Sequence, residues 1–66
     1  MNWIEVTAQD QLPYDSLILA KNEYGDIGAV YWNAYDWLYL HPFIDCEEVR
    51  MPGKIVKYVL IEKLLV

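Results

Sequence analysis

The stretch Ala29-Val30-Tyr31-Trp32-Asn33-Ala34-Tyr35-Asp36-Trp37-Leu38-Tyr39-Leu40 decides the fold. Two short runs of β-branched, aromatic and aliphatic residues flank a four-residue spacer, the pattern of a β-hairpin. Side chains alternate across a strand, so Val30 and Trp32 oppose Ala29 and Tyr31. By the same rule Trp37 and Tyr39 oppose Leu38 and Leu40. Aromatics therefore fall on both sides of the hairpin. One side is core, and the other needs a cover.

Working back from the hairpin, its first strand is expected over Ile27 to Trp32. Gly28 near its start predicts a bulge or a close backbone approach. Asn22-Glu23-Tyr24-Gly25-Asp26 reads as a turn, with Gly25 free to take positive φ. Before it, Ser16 to Lys21 is a short apolar run whose length favours a strand buried on both faces. Leu12-Pro13 holds the chain extended and rules against a helix there, and Tyr14-Asp15 completes a turn. Thr7 to Pro13 is a polar connection, and Asn2 to Val6 a first short strand.

Working forward, His41-Pro42 closes the hairpin because proline is excluded from a central ladder. Asp45 and Glu48 have capping-box spacing, which predicts a short helical turn. Met51-Pro52-Gly53 stops it. Lys54 to Val59 reads as a strand, and Leu60 to Val66 extends it or adds a last one. The expected fold is mainly β: a small antiparallel sheet of four to five strands, or a partly open barrel, with one short helical turn. All 66 residues form a single domain.

Composition narrows the function classes. One cysteine, Cys46, allows no intrachain disulfide, and with one histidine it makes no Cys/His zinc site. Ten acidic against five basic residues give a net charge of −5, which argues against direct nucleic-acid binding. The basic residues Arg50, Lys54, Lys57 and Lys63 form a small group near the end. No secretory signal pattern opens the chain, and the run Tyr58-Val59-Leu60-Ile61 is too short to span a membrane. The expectation is a soluble cytoplasmic protein with no membrane partner.

Several segments together resemble a known family. Trp3-Ile4-x-Val6, Leu12-Pro13, an apolar strand, a glycine-bearing turn, an aromatic strand and a tryptophan after a short loop resemble a small domain of unknown function common in tailed-phage and prophage genomes. Members of that family typically open with Trp-Ile-x-Val and Leu-Pro, and end on a strand carrying Thr-His-Trp-Met-Pro-Leu-Pro. Here the ending runs Val56-Lys57-Tyr58-Val59-Leu60-Ile61-Glu62-Lys63-Leu64-Leu65, without that motif. The resemblance covers about the first twenty residues. It implies a phage origin and a compact β-rich fold, and it carries no catalytic residue across.

No residue group reads as catalytic. His41 beside Asp45 or Asp36 is a general-base arrangement without a nucleophile, and Ser16 and Thr7 lack a nucleophile-elbow context. Cys46 lies among Asp45, Glu47 and Glu48, whose charges raise a thiol pKa. Asp36, Asp45, Glu47 and Glu48 are oxygen ligands without a calcium-loop pattern. No enzyme activity, cofactor or metal is expected.

Two surface features remain. Asp10, Asp15, Glu23, Asp26, Asp36, Asp45, Glu47 and Glu48 fall almost wholly in predicted loops, where they can steer toward a basic surface. Tyr14, Tyr24, Tyr31, Tyr35, Tyr39 and Trp37 exceed what one small core usually holds, and exposed aromatics anchor interfaces. The resulting expectation is a phage-type protein-binding module that inhibits a host or defence protein sterically, and that forms a homodimer. Its binding residues are Tyr24, Tyr31, Tyr35, Asp36, Trp37, Tyr39, Glu47 and Glu48. The alternatives are an acidic DNA-mimic decoy of a nucleic-acid-binding enzyme and a structural or assembly accessory protein.

Overall fold

A computed structural model describes residues 2–40 and 49–63. Five strands form one antiparallel sheet: β1 (Ile4–Glu5), β2 (Ser16–Asn22), β3 (Ile27–Trp32), β4 (Trp37–Tyr39) and β5 (Ile55–Lys63). Their order in the sheet is β1-β5-β2-β3-β4. The sheet is open, as β1 and β4 lie at opposite edges. The mainly β class, the strand number and the hairpin follow the sequence reading. Trp32 pairs with Trp37, Tyr31 with Leu38 and Val30 with Tyr39, the register that a four-residue loop imposes.

The core face is set by alternation along β2. Ser16, Ile18, Ala20 and Asn22 are buried, while Leu17, Leu19 and Lys21 between them are half-buried. The expectation of a strand buried on both faces is thus replaced by an alternating one. Val30, Trp37 and Ile55 join that face, and Leu12 and Met51 close it from the connecting segments. Val6, Trp32, Tyr39 and Tyr58 pack around its margin. Side chains such as Ile18, Val30 and Ile55, buried to 2% exposure or less, contribute about 1.5–3 kcal/mol each. On the opposite face Leu17, Leu19, Ala29, Tyr31 and Val59 are half-buried, and Leu38 is buried.

The connections carry the remaining order. Gln9–Gln11 form a single 3-10 turn inside the segment read as a polar connection. The Gln11 side-chain carbonyl accepts bonds from the Thr7 and Ala8 backbone N–H groups, satisfying donors that a helical start leaves free. The other helical turn expected, at Asp45 to Glu48, lies outside the described residues, as does His41-Pro42. Leu12 is extended at ψ 142° before Pro13, as its neighbour requires. Ser16 N–H then bonds Pro13 carbonyl at 3.1 Å, closing the turn at Tyr14-Asp15.

Two details fix the hairpin in place. A Cβ on Gly28 would sit 2.7 Å from the Tyr39 ring, so glycine there is a close-approach residue, one of the two outcomes its position predicts. The outer edge of β4 is paired with the segment following residue 48. Tyr39 N–H donates to Val49 carbonyl and Met51 N–H to Trp37 carbonyl, both at 2.8 Å. Leu38 and Arg50 form the bridge between them.

Candidate functional site

The β3–β4 loop is built on its first residue. Asn33 N–H donates to Asp36 carbonyl at 3.1 Å. The Asn33 side-chain carbonyl accepts from Tyr35 N–H at 2.9 Å and Asp36 N–H at 2.7 Å. This turn of the asparagine type offers the backbone a local partner in place of a ladder. It leaves Ala34 at φ 88°, in the left-handed region that a Cβ disfavours. Tyr35 follows, 81% exposed, and Asp36 faces Arg50 at 3.7 Å. Both members of that ion pair are well exposed, so it positions side chains more than it stabilises the fold.

Beneath the loop sits an aromatic buttress. Trp32 and Trp37 lie 5.4 Å apart between ring centroids, and Tyr14 meets Trp32 edge-on at 4.8 Å. Tyr14 also stacks on Trp37 at 5.4 Å, and its hydroxyl donates to Gln9 carbonyl at 2.7 Å. The loop therefore stands on packed rings tied to the β1–β2 connection.

The strain at Ala34 yields a direct expectation. A left-handed conformation costs a non-glycine residue about 1–2 kcal/mol, partly offset in comparison with glycine by the latter's greater loss of freedom on folding. Ala34→Gly should therefore raise stability by about 0.5–1 kcal/mol in urea unfolding. A loss of stability on this change would mean that the Ala34 methyl makes a contact more valuable than the strain it carries.

The residues expected to form one binding surface are divided by the fold. Tyr24, 69% exposed, lies in the β2–β3 turn, whereas Tyr35 lies in the β3–β4 loop. These turns are at opposite ends of β3, about 17 Å apart along six residues. Tyr31 is half-buried on the outer face, away from both Trp32 and Trp37. Trp37 is only 8% exposed and belongs to the core. Tyr39 is half-buried against Gly28. Burial, and secondarily the Asp26 carboxylate, hold its phenol above the usual tyrosine pKa. Asp36 lies beside Tyr35, and Glu47 and Glu48 lie outside the described residues. Tyr35 and Asp36 are thus the two expected residues that the structure brings together in the open.

Sequence reading had no signal for Arg50 as the partner of Asp36, since fourteen positions separate them. It also passed over Asn33, although an asparagine opening a four-residue loop before aspartate is a recognisable turn former. The described acids are spread out: Glu23 and Asp26 stand at one end of β3 and Asp36 at the other. Among the described residues no three His, Cys, Asp or Glu side chains are grouped to hold a metal ion. No helix among them is long and apolar enough to cross a membrane. No model of a known protein family, no curated protein and no solved structure matches this chain.

Proposed function

We propose that this chain is a non-catalytic protein-binding module whose anchor is Tyr35, with Asp36 and Arg50 as a polar rim. One observation carries the reading: a tyrosine ring 81% exposed on a loop whose backbone is fixed by Asn33 and supported by packed aromatics. Tyrosine provides a large contact area with few rotatable bonds, and a pre-ordered loop loses little freedom on docking. Resemblance to the tailed-phage domain favours a host or defence protein as the partner. Inhibition would then be steric, with the module covering a working surface of its target.

A photo-crosslinking side chain placed at position 35 tests this in lysate of a bacterial host. Capture of one stoichiometric protein from position 35, much weaker capture from position 24, and loss of binding in folded Tyr35→Ala are expected. Equal capture from both positions would place the docking surface elsewhere. Binding that survives Tyr35→Ala but fails as salt rises would replace this reading with the acidic decoy.

A further inference from the structure

We infer that the outer face of the sheet docks an acidic amphipathic helix of a partner protein, with a carboxylate of that helix seated between Lys21 and Lys57. The strand registers set one row of side chains across that face. Glu5 pairs with Lys57, Lys57 with Lys21, and Lys21 with Ile27, through β1, β5, β2 and β3. Lys21 lies between buried Ala20 and Asn22, so alternation along β2 turns it away from the core. Two lysines therefore stand directly opposite each other, a like-charge pair that destabilises a sheet. The chain has ten acids to five bases, yet among the described residues neither lysine has a carboxylate partner, Glu5 included. Both lysines are half-buried, which limits how far their ammonium groups turn apart. A carboxylate received between them removes the repulsion and gains charge-assisted hydrogen bonds.

The neighbouring row is apolar. Leu19 pairs with Ala29 on one side and Val59 on the other, and all three are half-buried on the face away from the core cluster. Ile27, 54% exposed, ends the lysine row. A cation pair thus borders an apolar strip. Here β2 is paired with β3 and with β5, so its backbone has no free edge to receive a strand. An arriving segment has to bring side chains instead, and a helix with one apolar stripe packs on a sheet face in that way. The charge pattern selects its chemistry: apolar residues over Leu19, Ala29 and Val59, and an acid over Lys21 and Lys57. Lys21 and Ile27 flank the β2–β3 turn, at the opposite end of β3 from Tyr35, so this surface is independent of the Tyr35 loop.

Two synthetic helical peptides test this by NMR titration of the isotope-labelled intact chain. Both carry a leucine stripe; one has glutamates in its last turn and the other has lysines there. The glutamate peptide should shift the amide signals of Leu19, Lys21, Lys57 and Val59 to saturation. The lysine peptide should bind about tenfold more weakly, or not at all. Lys21→Glu turns the like-charge pair into an opposite-charge one. It should keep or raise the urea midpoint while weakening the glutamate peptide by about tenfold. Tyr35→Ala should leave this binding unchanged, which separates the inference from the docking reading. Equal affinity for both peptides, no saturation with either, or binding that survives Lys21→Glu would overturn it. The same shifts on concentrating the chain alone would give the face to a second copy and also overturn it. So would inorganic phosphate binding there as strongly as the glutamate peptide, since the apolar strip would then play no part.

Discussion

Trp37→Ala is expected to lower the stability of the folded chain by about 3–5 kcal/mol. Trp37 is 8% exposed, sits on the core face of β4, and touches both Tyr14 and Trp32. Truncation removes the ring's own burial and also two aromatic contacts, each worth about 0.5–1.5 kcal/mol beyond area. A chain of 66 residues has roughly 3–10 kcal/mol of stability in total. The variant should therefore be largely unfolded or shifted to a far lower urea midpoint by circular dichroism. Trp37→Phe, which keeps a ring between Tyr14 and Trp32, should stay folded with a smaller loss. Tyr35→Ala, at the exposed tip two residues away, should change stability by no more than about 0.5 kcal/mol. A cost below about 1 kcal/mol for Trp37→Ala would mean that the buttress is not part of the cooperative core.

That contrast shows why neighbouring aromatics have different roles here. The hairpin register puts Trp32, Trp37 and Tyr39 on the core side and Tyr31 on the other, while Tyr35 belongs to neither face because it lies in the loop. The division of strand residues between faces was legible from alternation alone. Which face is core was not, because both carry apolar rings. Tertiary contacts decide it: Leu12 and Met51, far from the hairpin in sequence, cover the Trp37 side.

Strand limits were legible wherever turn formers bracketed them, as at Ile27 to Trp32. The 3-10 turn at Gln9–Gln11 was not, because its support comes from the Gln11 side chain reaching back to Thr7 and Ala8 rather than from any apolar periodicity. The candidate site was legible only as a list of exposed aromatics. Their grouping depends on strand order, which places Tyr24 and Tyr35 at opposite ends of β3. Asp36 was singled out by charge, but its pairing with Arg50 depends on residues 49–51 returning to cover β4.

Asn22 poses the same problem in sharper form, since asparagine before Glu-Tyr-Gly-Asp reads as a surface turn former and is in fact 1% exposed. All four of its side-chain hydrogen-bonding positions are filled. The amide N–H₂ donates to Asp26 Oδ2 at 3.1 Å and to Pro52 carbonyl at 2.8 Å. The amide oxygen accepts from Tyr24 N–H at 3.0 Å and Asp26 N–H at 2.8 Å. One residue thereby closes the β2–β3 turn and ties it to the segment entering β5. There Tyr24 lies so close over Gly53 (φ 73°) that a Cβ would approach its ring to 2.6 Å. Asn22→Ala leaves these partners without a mate in a site too buried for full hydration, and should cost about 2–4 kcal/mol. Asn22→Asp distinguishes lost bonds from lost volume. It keeps two acceptor positions but sets a carboxylate against Asp26 and the Pro52 carbonyl, with no donor for either. Those neighbours disfavour the charged form and raise the introduced group's folded pKa above its unfolded value of about 3.9. Its penalty should be largest at neutral pH and shrink as pH falls toward the unfolded value, where the folded form is protonated and donates again. On acidification the urea midpoint of Asn22→Asp should climb toward that of wild type while the deficit of Asn22→Ala changes far less, both read as differences from wild type at each pH. A gap between them that does not change with pH would show that the site is wet, and that its four bonds do not hold the turn to β5.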